Sequence, residues 1–132
     1  FFDDHQNFIK RLKHAASLGF KHVIDEDNYP SIQGDCYSPK KVIANKPFVI
    51  DLNGKKDWYN VNQLDVEFFK KEVKIYQEMP PIYKPETTRW EEPWTEENYP
   101  TVEPLLDIKG NRYPLFVKEA KDYTWLCYIE LK

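Results

Sequence analysis

Residue types that usually supply cross-links or reactive groups are scarce in this chain of 132 residues. There are two cysteines, Cys36 and Cys127, and no C-x-x-C pair, which argues against a disulfide framework or a cysteine-rich metal knuckle. We expect both thiols to be reduced and partly buried. No N-x-S/T sequon occurs, and no apolar run approaches the ~18 residues of a membrane-spanning helix. The sequence therefore predicts a protein of a reducing, intracellular compartment without a transmembrane segment.

The motifs of the common enzyme classes are also missing. Four glycines are scattered along the chain, whereas a phosphate-binding loop needs clustered glycines whose N–H groups can approach the phosphates. No G-x-S-x-G elbow, H-E-x-x-H helix or ordered set of Cys, His and Asp is present. We therefore expect no catalytic residue, no cofactor and no metal, and an enzyme of an unrecognised type is a less favoured alternative.

Aromatic residues are abundant, and acidic residues are concentrated in one segment. Hydrophobic residues make up 41% of the chain and aromatic residues 16%, which indicates a packed core rather than a disordered polypeptide. The net charge is −3, but residues 86–107 carry seven acids against the single base Arg89. No long basic run occurs, so general affinity for nucleic acid is not indicated.

Two helices are predicted from the spacing of apolar residues. Residues 3–19 place apolar side chains on one helical face, with Asp3 and Asp4 at the N-terminal cap and Gly19 at the left-handed stop. Residues 62–79 repeat the helical spacing, and the prolines that follow end the helix because proline has no backbone N–H group.

Strands are predicted in three places. Residues 20–25 read as a short strand, and residues 46–61 read as a β-hairpin. Asn53 and Gly54 suit the turn of this hairpin because both residue types readily adopt positive φ. Residues 104–132 are interpreted as two or three strands joined by turns at 109–111 and near Lys121 and Asp122. The last strand alternates apolar side chains on one face.

Together these elements favour an α+β fold, in which two helices pack on a mostly antiparallel sheet of about five strands. We expect a single domain over residues 1–132. Residues 80–104, here called the strap, contain six prolines and no glycine. Proline removes backbone donors and restricts the preceding residue, so the strap is expected to be extended and irregular.

Acidic residues and histidines offer potential metal ligands, but their spacing fits no known motif. The acidic stretch 25–27 with Asp35 suggests a calcium loop, yet an EF-hand would require Gly and Glu where the chain has Pro30 and Cys36. Three histidines are interpreted as surface or interface residues: His5, His14 and His22.

Two short segments suggest other kinds of binding. Residues 55–59 place two lysines next to two aromatic rings, as on surfaces that stack nucleic-acid bases, although a hairpin with Trp58 in the core is favoured. The segment PPIY at 80–83 matches a ligand pattern of WW domains. The favoured alternative is that its prolines end the preceding helix and that Tyr83 packs back against it.

The strap is the segment that the sequence favours as a binding site. Its rings follow neither a strand period nor a sustained helical period, so something other than a regular element must cover them. Either the strap wraps over its own domain, or its rings dock on a partner, where aromatic side chains often dominate the binding energy. The surrounding glutamates would then select a basic partner surface. The predicted partner-binding residues are Tyr83, Trp90, Glu91, Glu92, Trp94, Glu96, Glu97 and Tyr99.

These observations favour a non-catalytic protein–protein interaction protein, as a small accessory or structural subunit of a larger multi-protein complex. Its partner would be a protein with a basic surface. The missing initiator Met fits a processed mitochondrial subunit. An acidic inhibitor, such as an immunity protein that blocks a basic toxin, is the first alternative. A nucleic-acid-binding module is the second and less favoured alternative.

Overall fold

Helices alternate with short antiparallel strands in the computed structural model, which describes residues 1–88, 91–97, 99–107, 114–121 and 125–132. In chain order the elements are α1 (Phe8–Ser17), β1 (His22–Asp25), α2 (Pro39–Ala44), β2 (Phe48–Leu52), β3 (Lys55–Tyr59), α3 (Gln63–Glu72), β4 (Val73–Glu78), α4 (Pro114–Lys121) and β5 (Cys127–Leu131). One sheet has the strand order β1-β5-β4, and the second sheet is the hairpin β2-β3. The predicted α+β class is confirmed, with the five strands divided between two antiparallel sheets.

Helix α1 begins at Phe8 rather than near the two predicted aspartates. The side chain of Asn7 accepts a hydrogen bond from the backbone N of Lys10 at 3.0 Å and thereby caps the first turn. The preceding residues run instead beside β1, where Phe2 forms a parallel bridge with Asp25. The backbone N–H and C=O groups of Phe2 are paired with Ile24 and Glu26, so the helix does not extend to the N-terminal residues.

The second predicted helix is wrong in its C-terminal part. Helix α3 ends at Glu72, and from Val73 the chain continues directly as β4. The segment VKIYQE is rich in β-branched and aromatic residues, which fit a pleated surface beside another strand. Strand β5 supplies that neighbour, with Lys132 N donating to Glu72 O at 2.9 Å and Lys74 Nζ lying 2.5 Å from Glu130 Oε1. Pairing between distant segments therefore overrides the local helical pattern.

The predicted β-hairpin is confirmed, including its turn. Asn53 and Gly54 have φ values of 56° and 82°, so both turn residues are left-handed as expected. Asp51 supports the turn by accepting a hydrogen bond from Gly54 N at 2.9 Å. On its other side, β2 lies next to the loop before α2, where Val49 N donates to Ser31 O at 2.7 Å.

The C-terminal segment contains one of the predicted strands. Strand β5 keeps the expected alternation, with Cys127, Ile129 and Leu131 buried on one face. Pro114–Lys121 forms α4 instead of a strand, because proline suits the first helical position, where no N–H partner is needed. The turns predicted at 109–111 and near 122 lie outside the described residues.

The contacts divide the chain into two compact units. Unit 1 comprises Phe1–Gln77 and Trp125–Lys132, and unit 2 comprises Glu78–Thr124. The single domain over residues 1–132 stays a prediction. No helix in the described part of the chain has the length and apolar character needed to cross a membrane. The main buried cluster consists of Phe8, Ile9, Leu12, Ala15, Val23, Tyr37, Val42, Phe48, Val66, Phe69, Cys127, Ile129 and Leu131.

Candidate functional site

Backbone hydrogen bonds fold the strap back on itself within unit 2. Thr88 N donates to Glu92 O at 2.9 Å, and Trp94 N donates to Glu86 O at 3.0 Å, so residues 86–88 and 92–94 run antiparallel to each other and the chain reverses direction between them. Glu91 lies in the reversal with φ 60°. The described residues between β4 and α4 form neither a helix nor a named strand, which agrees with the predicted irregular segment.

The aromatic rings of the strap differ in their exposure. Tyr99 is 2% exposed and Tyr83 is 4% exposed, so both are interior residues. Trp94 is half-buried, and its ring centroid lies 6.0 Å from that of Tyr99. The hydroxyl of Tyr99 donates to the carboxylate of Glu92. Trp90 lies outside the described residues.

The acidic side chains of the same segment are on the surface. Two of them have partners within unit 2, because Glu96 pairs with Lys84 and Glu92 accepts from the hydroxyl of Tyr99. The glutamates that were predicted to bind a partner are therefore accessible to one. All seven acids of the segment are exposed: Glu86, Glu91, Glu92, Glu96, Glu97, Glu103 and Asp107.

An apolar surface lies in unit 2 where the two ends of the strap meet. Leu105 N donates to Pro81 O at 3.0 Å, and Leu106 N donates to Ile82 O at 2.8 Å, so these two short segments run next to each other. The side chains of Ile82, Leu105 and Leu106 are exposed. In the PPIY segment itself, Pro81 and Tyr83 are buried and are therefore not available to the groove of a WW domain.

The hairpin β2-β3 carries an aromatic side chain that the sequence favoured as a core residue. Trp58 is 64% exposed, so the prediction of its burial is wrong. Its cross-strand neighbour Val49 is buried, and the chain at residues 31–34 lies along the other side of β2 rather than over Trp58. Tyr59 is also exposed but stacks on the buried ring of Phe48, with 5.8 Å between the centroids.

The lysines of the hairpin are paired with acids of the same hairpin. Lys55 Nζ lies 3.4 Å from Asp57 Oδ2, and Lys56 Nζ lies 4.0 Å from Asp51 Oδ2. The exposed ring of Trp58 is thus surrounded by charges of both signs. This composition weakens the attraction that a bare pair of lysines would exert on a phosphate backbone.

In unit 1, polar groups are buried together with apolar ones where the loop between β1 and α2 meets helix α2. Lys41 is 0% exposed, and its ammonium donates to Cys36 O and to Val49 O, each at 2.8 Å. Burial lowers the pKa of Lys41 to about 8. Burial also raises the pKa of the Cys36 thiol, so this thiol is unreactive at neutral pH.

The acidic side chains of this loop lie close to the N-terminal segment. Ligand atoms of Asp3, His5 and Asp27 all lie within 4.8 Å of one another. His5 N donates to Asp27 Oδ2 at 3.2 Å, and His5 Nδ1 is 3.0 Å from Asp35 Oδ1. Asp25 is buried beside them, and its Oδ2 atom has no hydrogen-bond partner among the described residues. Asp3, His5, Asp25, Asp27 and Asp35 are called the His5 cluster below.

Ionisation in the His5 cluster is shifted by burial and by crowding of like charges. Burial, followed by the charge of Asp27, raises the pKa of Asp25 to about 8. Burial also raises the pKa of Asp27. The hydrogen bond with Asp35 raises the pKa of His5, because it stabilises the imidazolium form.

Asp25, Asp27 and Asp35 were considered together as candidate calcium ligands, but Asp3 and His5 were not connected to them. Asp3 was interpreted as part of a helix cap, and a helix beginning there would have directed the following residues away from β1. The structure places this segment beside β1, where Phe2 N donates to Ile24 O at 2.9 Å and Glu26 N donates to Phe2 O at 3.1 Å. No local pattern in the sequence signals this pairing.

Comparisons of the chain with known protein families, with curated proteins and with solved structures find no match.

Proposed function

We propose that this chain is a non-catalytic protein–protein interaction protein, an accessory subunit that binds a basic protein surface through unit 2. The observation that carries the proposal is the separation of charge and rings in the strap: every acid of residues 86–107 is exposed, whereas Tyr83 and Tyr99 are interior. The tyrosines thus form part of the interior of unit 2, and the acids form its surface. Trp94, half-buried beside them, presents part of an indole ring to a partner.

Charge and apolar surface are combined on unit 2 in a way that suits a protein partner. The exposed side chains of Ile82, Leu105 and Leu106 supply area whose burial stabilises a complex by roughly 25 cal/mol per Å². Exposed glutamates speed the encounter with a basic surface and set its orientation, but they contribute less to the final affinity. We therefore assign the affinity mainly to the apolar residues and Trp94, and the selectivity to the glutamates.

The proposal is tested by affinity purification of the tagged chain from its native source at low salt, followed by quantitative mass spectrometry. We expect a defined set of proteins with a basic contact surface, which dissociates as salt is raised. The double variant Glu91→Gln/Glu97→Gln should recover less of this set. The control Glu67→Gln/Asp57→Asn removes the same number of exposed charges from unit 1 and should recover the wild-type amount.

Two results would count against the proposal. Recovery of this chain alone, with the mass of a monomer, would argue against a subunit. Equal recovery with both double variants would show that the acidic surface is not the contact. An acidic inhibitor would use the same surface, but it would be recovered in a small complex with a single basic protein rather than in a large assembly.

The exposed ring of Trp58 favours a second candidate function, a single-stranded nucleic-acid-binding hairpin on β3. Stacking of a base on an exposed indole is worth roughly 1–3 kcal/mol and tolerates any sequence. Titration of a fluorescent oligo-dT with the protein at several salt concentrations tests it. This function requires an affinity that falls steeply with salt and is lost in Trp58→Ala. Weak binding that Trp58→Ala leaves unchanged would exclude it.

A further inference from the structure

We propose that Asp3, His5 and Asp27 of unit 1 form a binding site for a divalent first-row transition-metal ion. The three side chains come from two segments that are far apart in sequence, and their ligand atoms lie within 4.8 Å of one another. Bonds of about 2.0–2.2 Å from a central ion to nitrogen and carboxylate oxygen require a slightly closer approach. Asp3 and His5 are exposed and can supply it by side-chain rotation, while the buried Asp27 stays in place.

Asp25 provides an independent indication that this site is built for a cation. The residue is 3% exposed, and its Oδ2 atom accepts no hydrogen bond from the described residues. A buried carboxyl oxygen without a donor costs free energy, and native structures rarely leave one without a reason. Asp25 ends β1 and Asp27 follows two residues later, so this unpaired oxygen lies near the carboxylate that would hold the ion.

The imidazole of His5 is held against the carboxylates of the site. Its Nδ1 atom is 3.0 Å from Asp35 Oδ1 and 3.8 Å from Asp27 Oδ1, so a bound ion would take the place of the proton that this nitrogen shares with them. The backbone is fixed as well, because His5 has φ 49° and its N–H donates to Asp27 Oδ2 at 3.2 Å. A non-glycine residue in this conformation persists only where its surroundings hold it.

The ligand chemistry selects the class of ion. One imidazole nitrogen with carboxylate oxygens suits Zn²⁺ and Mn²⁺, whereas Ca²⁺ and Mg²⁺ prefer sites made of oxygen atoms alone. Zn²⁺ is expected to bind more tightly than Mn²⁺, following the general order of affinities for divalent ions. The buried thiols of Cys36 and Cys127 are not accessible as competing ligands.

Isothermal titration of the chelator-treated chain, residues 1–132, with ZnCl₂, MnCl₂, MgCl₂ and CaCl₂ tests the proposal. We expect saturable binding of one Zn²⁺ or one Mn²⁺ per chain, with a metal-dependent rise in the melting temperature. His5→Ala and Asp3→Asn should each weaken binding by about tenfold or more. Both side chains are exposed, so these variants are expected to fold, and far-UV circular dichroism verifies it.

Matched controls separate this site from general binding to surface groups. His14→Ala removes an exposed imidazole, and Asp57→Asn removes an exposed carboxylate, both outside the His5 cluster. Their affinities for Zn²⁺ and Mn²⁺ should equal that of the wild type. The proposal is overturned by the absence of saturable binding of either ion, or by equal affinities in His5→Ala, Asp3→Asn and the two controls.

Discussion

The ammonium of Lys41 donates a hydrogen bond of 2.8 Å to the backbone carbonyl of Val49 from a fully buried position. It donates a second bond of 2.8 Å to Cys36 O, so one side chain joins the loop before α2 to strand β2. Lys41→Met keeps the length of the chain but leaves these carbonyls without their donor. We expect the free energy of unfolding, measured with urea, to fall by about 2–4 kcal/mol.

Lys41 lies in α2, and an exposed lysine just after the end of that helix provides the control. Lys46→Met changes the charge by the same amount at an exposed position and should alter the free energy of unfolding by less than about 0.5 kcal/mol. Equal stabilities of the two variants would mean that water or a shifted backbone replaces the donor of Lys41.

Stability should also depend on pH through Lys41. Burial lowers its pKa in the folded protein to about 8, from a value of 10.5 for an unperturbed lysine. Between these two values the unfolded chain binds more protons than the folded chain, so the contribution of Lys41 to stability increases as the pH rises. Below pH 8 the full cost of burying the charge is present, about 3 kcal/mol.

The measurement compares urea unfolding of the wild type and of Lys41→Met at pH 7.5, 8.5 and 9.5. Subtracting the free energy of unfolding of the variant from that of the wild type removes the contributions of titrating groups that both proteins share. The stability of the wild type relative to the variant should rise across this range. A difference that stays constant would show that Lys41 keeps its ordinary pKa when the protein folds.

Two glycines allow backbone strain to be distinguished from steric overlap. Gly54 has φ 82°, and a Cβ atom there would meet nothing within 4 Å. Gly54→Ala should therefore lower the free energy of unfolding only through the strain of the left-handed conformation, by about 1 kcal/mol. Gly34 has φ 75°, and a Cβ atom would lie 2.2 Å from Cγ of Tyr29, a buried ring. Gly34→Ala should therefore destabilise the protein by more than about 3 kcal/mol. Thermal unfolding of both variants checks this order, and equal melting temperatures would contradict it.

Local patterns in the sequence were sufficient where one segment determines its own structure. The hairpin turn at Asn53 and Gly54, the apolar face of α1 and the alternation in β5 were predicted because each depends on residues a few positions apart. The irregular strap was predicted for the same reason, since its prolines act locally.

Predictions were wrong where pairing between distant segments decides the structure. Val73–Glu78 has a helical spacing of apolar residues, yet it forms a strand because β5 lies beside it. Phe2 pairs with the end of β1 and is not part of α1, and this pairing brings Asp3 and His5 close to Asp27. A single sequence does not indicate which distant segments meet, so both the cluster and the exposure of Trp58 required the structure.

The roles of Tyr99 and Trp94 in the strap should separate when stability and binding are measured on the same variants. Tyr99 is almost fully buried and donates to Glu92, so Tyr99→Ala removes packing inside unit 2 and should cost about 3–5 kcal/mol. Trp94 is half-buried, so Trp94→Ala should cost less stability than Tyr99→Ala. Amide hydrogen exchange over residues 81–106 should increase strongly in Tyr99→Ala and weakly in Trp94→Ala.

The substitution Trp94→Ala should reduce the amount of co-purified partner by more than its small effect on the stability of the protein would explain. If the indole ring contacts a partner, the Trp94→Ala variant should lose most of the co-purified protein while its melting temperature stays close to that of the wild type. Interface tryptophans often contribute 2 kcal/mol or more to binding, which corresponds to roughly a thirtyfold loss of affinity when the ring is removed. Tyr99→Phe serves as the control, since it keeps the buried ring and removes only the hydroxyl that donates to Glu92. A Trp94→Ala variant that unfolds readily but still recovers the partner would mean that the strap covers its own unit and that binding occurs elsewhere.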